Sequence, residues 1–169
     1  MRRLDRLVGI SLAQISGHCS SGALELLAAA DHRIADPTLC LQIRADSRAS
    51  WPGMGMYRVA ARAGISRARG LYMFAVELNA GQAFDSGLLD QVVKDASRAR
   101  EEFVQSLAGI DLKALASRRL LMLEGPGQGY DRLLGLHLAA CEAELRCRHR
   151  SLATQLAPQP DTLIDATFS

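Results

Sequence analysis

Between Gly17 and Asp36 the chain reads GHCSSGALELLAAADHRIAD, and that order of residue types leaves few folds open. Residues 8–15 read as a short buried strand, which Ser16-Gly17 ends. Ser20 and Ser21 can each cap a helix, and strong helix formers follow Gly22, so a helix is predicted from about Ser21 to Ala30. His32-Arg33-Ile34-Ala35 then gives a second short strand, stopped by Asp36-Pro37. A strand, a helix and a strand within so short a span imply a βαβ crossover with parallel pairing. Ligand sites in such sheets lie beyond the carboxyl ends of the strands, where Gly17 to Gly22 would sit.

The chemistry follows from the helix start. Its first N–H groups lack intrahelical partners and carry the positive end of the dipole, so the turn from Ser21 can hold a negatively charged oxygen. Gly22 has no side chain to keep a ligand away from that backbone. Glu25 lies about one turn further on, within reach of a ligand held there. An oxyanion-binding N–H beside a carboxylate can stabilise an enolate while a proton moves. The same residues also make an ordinary helix-start device, and the local sequence leaves both readings open.

Composition narrows the partners. Twenty Lys and Arg residues against 18 acidic ones leave a net charge of +2, which gives no argument for nucleic acid. No apolar run approaches the roughly 20 residues needed to cross a bilayer, and the N-terminus leads into no signal-peptide core, so a cytoplasmic protein is expected. Cys19, Cys40, Cys141 and Cys147 form no CxxC pair and are expected to be free, buried thiols. Neither they nor His18, His32, His137 and His149 show a ligand spacing, so no metal is expected.

Further along, Leu39-Cys40-Leu41 reads as a third short strand, and residues 42–50 are polar and irregular. Trp51-Pro52-Gly53-Met54-Gly55 is a Pro-Gly turn, expected to line a site. Two helices are predicted over 56–63 and 66–77, parted by Gly64, with Ser66 capping the second. Asn79 is expected to cap a short helix ended by Gly87, before an extended segment over 88–93. Helices are predicted over 97–107, 112–123 and 130–148, with a break at Gly125-Pro126-Gly127-Gln128-Gly129. The divisions expected are 1–95 as a sheet core, 96–156 as a helical region and 157–169 as a mobile tail.

Taken in order, these segments resemble the enoyl-CoA hydratase/isomerase, or crotonase, family over about residues 10–93. Three pieces carry the likeness: GHCSSGALELLAAADHRIAD is similar to the family's oxyanion turn and helix, WPGMGMYRVAARAG to its Pro-Gly loop and following helix, and SRARGLYMFAVELNAGQAFDSGLLDQVV to its segment ending in a Gly-Leu-Val-type strand. The resemblance implies an α/β fold with a crotonase-like coiled ββα sheet core, incomplete at the N-terminus, and C-terminal helices. It implies acyl-CoA substrates, coenzyme A entering only as part of the substrate with no separate cofactor, and a trimer-based homo-oligomer or assembly with a related subunit. Neither nucleic acid nor membrane is an expected partner.

Carried onto this chain, the resemblance makes Gly22 the donor of one oxyanion-hole N–H and Glu25 a catalytic glutamate. Ser21, Pro52 and Gly53 complete the expected oxyanion and substrate-binding set. The family's second glutamate falls on Ala45, which leaves Asp46 beside it as the candidate second carboxylate. Ser20-Ser21 stand where glycines are usual, the Pro-Gly loop is one residue shorter, and the strands that carry the other oxyanion donor are not found before residue 10. The leading expectation is an enzyme acting through a stabilised enolate. Alternatives are a fragment of a longer product, a degenerate or non-catalytic subunit completed by a full-length partner, and a Clp-protease-like hydrolase with Ser21 as nucleophile.

Overall fold

Ser16-Gly17 ends the first strand as expected, but a second short strand follows at once where a turn is expected. In the computed structural model β1 (Leu12–Ile15) ends, Gly17 takes a φ of 63°, and β2 (His18–Cys19) continues in a different sheet. The described residues are 4, 7, 9–43, 54–125 and 128–156, with only the backbone described over 151–156. Asp46, Pro52, Gly53 and the expected tail from 157 lie outside them.

After β2 come α1 (Ser21–Ala29), β3 (His32–Ala35), β4 (Cys40–Leu41), α2 (Gly55–Phe74), β5 (Leu78–Asn79), α3 (Ala80–Asp85) and β6 (Gln91–Val92). The chain visits two three-stranded sheets in turn. One has the order β1-β3-β6, all parallel, with Leu12 opposite His32 and Ile15 opposite Ala35. The other has the order β2-β4-β5, with β2 parallel and β5 antiparallel to β4. Two successive strands, one for each sheet, precede each of α1 and α2, which gives the coil its ββα repeat.

Apolar side chains fill the space between these layers. Leu24, Leu27 and Ala28 of α1 pack with Leu39, Leu41, Val59, Leu71, Leu78 and Leu88 in one buried cluster. Magnitudes show what holds α1 in place. Ser20 occupies the N-cap position in extended backbone, but its side chain makes no cap bond, and such a bond is worth only about 1 kcal/mol. Leu24 and Leu27 are each 1% exposed, and burying a leucine is worth about 1.5–3 kcal/mol. Packing, not capping, therefore fixes this helix.

The predicted strand over 8–15 shortens to β1, and two-residue β2 carries too little pattern to be read from sequence. The two helices expected over 56–63 and 66–77 form one element, α2, in which Gly64 alone leaves helical geometry at φ 82° and ψ 159°. Its end comes earlier than expected, because Ala75 turns left-handed at φ 50° and the N–H of the next residue, Val76, donates to the Gly70 carbonyl at 2.9 Å. Asn79 caps α3 in a full capping box with Gln82, as the sequence indicates.

Three more helices follow: α4 (Ala96–Ser106), α5 (Leu112–Glu124) and α6 (Tyr130–Leu156), the last running beyond the expected 148. Asp95, not Ser97, caps α4, accepting from the Arg98 N–H. Ala96 and Ala99 of α4 pack on Ile34 of β3, and Phe103 stacks on His32 at 4.1 Å between ring centres. The chain forms two units, Met1–Arg119 and Leu120–Ser169. None of the four cysteines, all of them among the described residues, forms a disulfide. Cys19 and Cys40 are buried, whereas Cys141 and Cys147 stand exposed on α6, contrary to the expectation of four buried thiols.

Candidate active site

The first turn of α1 stands open. Ser20, Ser21 and Gly22 are exposed, and the first intrahelical bond runs from Leu24 N to Ser20 O at 3.0 Å. The N–H groups of Ser21, Gly22 and Ala23 precede that bond, and no side chain caps them. A Cβ built on Gly22 would meet nothing within 4 Å among the described residues, which leave the backbone there open to approach. The sequence reading places Ser21, Gly22 and Glu25 together, and the structure does so.

Glu25 is half-buried one turn along α1, where the start of α2 closes over it. Gly55 is the contact. A Cβ on Gly55 would sit 2.6 Å from Glu25 Cγ and 2.4 Å from the Tyr72 hydroxyl, so only glycine fits. Tyr72 arrives from the far half of α2, beyond the Gly64 break. Its Oη is buried and has no hydrogen-bond partner among the described residues. Burial first, and then the negative charge of Glu25, pushes its ionisation up to about 12, which keeps the phenol neutral and a donor.

Arg62 holds the two helices together. Its Nε donates to the Ala28 carbonyl at 2.8 Å and its Nη2 to the Ala30 carbonyl at 2.9 Å, satisfying acceptors that the end of α1 leaves open. Burial, followed by the charge of Arg33, lowers the Arg62 pKa from its ordinary value. α1 is thus fastened at its carboxyl end and open at its amino end.

Two buried arginines frame this unit. Arg33 on β3 donates to Asp90 through Nε at 2.9 Å and Nη2 at 2.8 Å, and to the Gly87 carbonyl at 3.1 Å. Burial alone would raise the Asp90 carboxyl, but the Arg33 hydrogen bonds and charge overcome it and hold the pKa below 3.8. Asp31, just past α1, accepts from Ser11 N at 2.8 Å, Ser11 Oγ at 2.6 Å and Arg119 Nε at 2.7 Å. Arg119 is only 4% exposed.

Sequence reading finds the helix start and misses what surrounds it. Gly55 reads as part of a Pro-Gly turn, and Arg62 and Tyr72 only as residues of the helices predicted over 56–63 and 66–77. Only the Gly64 break hints that the two halves of α2 do different work. Ser21 makes no hydrogen bond to a histidine among the described residues, so nothing supports it as an activated nucleophile. Also among the described residues, no group of three or more His, Cys, Asp or Glu side chains could hold a metal ion.

The chain is 33% identical over 146 residues to the enoyl-CoA-hydratase of Amycolatopsis orientalis, a match that covers 86% of this chain and 67% of that protein. Its structure matches an enoyl-CoA hydratase/isomerase from Cupriavidus metallidurans with a TM-score of 0.79 at 21% identity, covering 93% of this chain and 62% of that one. A Thermobifida fusca structure in complex with CoA gives a TM-score of 0.80 at 22% identity, over 87% of this chain and 58% of that one. At these identities the structures show a shared fold. The chain spans about two thirds or less of the length of these relatives. No family model matches it.

Proposed function

The chain belongs to the enoyl-CoA hydratase/isomerase, or crotonase, family and has its coiled ββα fold; from that premise we propose that it binds acyl-CoA thioesters and works on them through a stabilised enolate. One observation carries the reading. Glu25 sits one turn beyond an exposed, uncapped helix start at which Gly22 leaves the backbone open. A thioester oxygen there receives the Gly22 N–H and the positive end of the α1 dipole. Glu25 then takes a proton from the carbon beside the thioester carbonyl, and the electron pair moves onto the oxygen. Returning that proton two carbons along shifts the double bond with no net gain or loss of atoms.

In this proposal coenzyme A is part of the substrate and no separate cofactor is used. Pro52, Gly53 and Asp46, outside the described residues, are proposed to line the acyl site, with Asp46 as the second carboxylate that hydration would need. Assembly belongs to the same reading. Tyr130, Leu134, Leu138 and Leu145 are exposed at helical spacing on α6, which supports a homo-oligomer burying that stripe. No helix among the described residues is long and apolar enough to cross a membrane, and a cytoplasmic location is part of the proposal.

The test is turnover of short- and long-chain 2-enoyl-CoA and 3-enoyl-CoA by the purified chain and by Glu25→Gln. We expect the variant to lose about 10²- to 10⁴-fold in kcat, the usual worth of a positioned acid/base. Absence of hydration and isomerisation with every thioester, and no difference between the variant and the parent, would sink the reading.

A further inference from the structure

The Tyr72 hydroxyl is a buried donor with nothing to donate to among the described residues. Such groups are few in folded proteins, and each points to something it serves. Its surroundings name the candidate. The same Cβ position on Gly55 lies 2.4 Å from Tyr72 Oη and 2.6 Å from Glu25 Cγ, so phenol and glutamate press on one face of Gly55 with no room for a methyl between them. Glu25 is also the charged group whose field reaches the phenol. Building on the reading of Glu25 as proton carrier, we infer that Tyr72 is a positioning residue, donating its O–H to the Glu25 carboxylate and fixing the rotamer from which Glu25 works.

The geometry supplies the reason for each part. Gly55 begins α2 and Tyr72 lies in its second half, so the irregular residue between them, Gly64, sets how the phenol meets the helix start. Because burial and then the Glu25 charge hold its ionisation up near 12, Tyr72 remains a donor at every pH where a carboxylate would be at work. A hydrogen bond to the charged form of a carboxyl favours that form, so removing the hydroxyl has a signature that a packing role lacks.

The experiment is an NMR titration of the Glu25 side-chain carboxyl, carbon-13 labelled, in the parent chain and in Tyr72→Phe. The midpoint is expected to rise by about one pH unit in the variant. The acidic limb of kcat/KM for an enoyl-CoA should move to higher pH by the same amount. Uniform 3-fluorotyrosine labelling, which strengthens the phenol as a donor without changing the packing, is expected to lower the midpoint. It serves as the readout if Tyr72→Phe does not fold. A midpoint unmoved by either change overturns the inference, even if Glu25→Gln abolishes turnover. A midpoint that moves in a chain without turnover keeps the Tyr72–Glu25 pair and removes the catalytic reading instead.

Discussion

Gly55 and Glu25 are packed with no room for a side chain between them: a Cβ on residue 55 would lie 2.6 Å from Glu25 Cγ. Because the clash meets the middle of the glutamate and not its mobile tip, Gly55→Ala is expected to swing the carboxylate off its position. Overpacking of this kind costs about 1–3 kcal/mol, measurable by urea unfolding. On the proposed function, kcat falls more than KM rises. Parent-like stability and kinetics in the variant would show that this contact does not hold Glu25.

Tyr72 gives the pair a spectroscopic handle. The phenolate absorbance of Tyr72 is expected to appear last in an alkaline titration, near pH 12. A phenol whose folded pKa is raised contributes stability that is present below its unfolded value, about 10, and lost as pH rises through the folded one. In Glu25→Gln the negative charge is gone and burial remains, so the late phase should move to lower pH. A late phase that stays in place, with circular dichroism confirming the fold, would mean that the two groups do not sense each other.

Asp31 is the acid partner of an arginine that is itself only 4% exposed. Asp31 also accepts from Ser11 N and Ser11 Oγ, and breaking a buried ion pair by removing one member typically costs about 3–5 kcal/mol. Asp31→Ala should therefore lose that much in denaturant unfolding, while Glu102→Ala, whose partner Arg98 is surface-exposed, should lose less than about 1 kcal/mol. Equal losses would contradict the assignment.

The Arg33–Asp90 pair predicts an acid limit. The Asp90 carboxyl titrates below 3.8 in the fold, because the Arg33 hydrogen bonds and charge outweigh the opposing effect of burial. A depressed carboxyl contributes stability above its unfolded pKa and loses it as pH falls through the folded value. Melting temperatures should fall below about pH 4, and Asp90→Asn should flatten that slope while lowering the plateau at neutral pH. A parent slope retained in Asp90→Asn would assign the acid limit to other groups.

How much of this was legible depends on where each signal is written. The helix at Ser21–Ala29 and the strand at His32–Ala35 could be read because local propensity and stop residues agree there. β2 could not, since two residues carry no period and its pairing with β4 is decided by the bend at Gly17. Gly22 and Glu25 could be singled out as candidates because a helix start has its own chemistry. Tyr72 and Gly55 could not, because their contact with Glu25 exists only when α2 folds back over α1. Arg62 likewise reads as a surface charge until the carbonyls of Ala28 and Ala30 are seen beneath it.

The bend at Gly17 also acts as a proofreading device. A one-residue slip of Leu12–Ile15 along His32–Ala35 would turn every side chain of that strand to the opposite face. Only Ser16 and Gly17 separate β1 from β2, so the same slip would pull His18 and Cys19 away from Cys40 and Leu41 in the other sheet. Each sheet thereby checks the alignment of its neighbour, and the turn that presents Gly22 and Glu25 emerges from a stretch aligned twice.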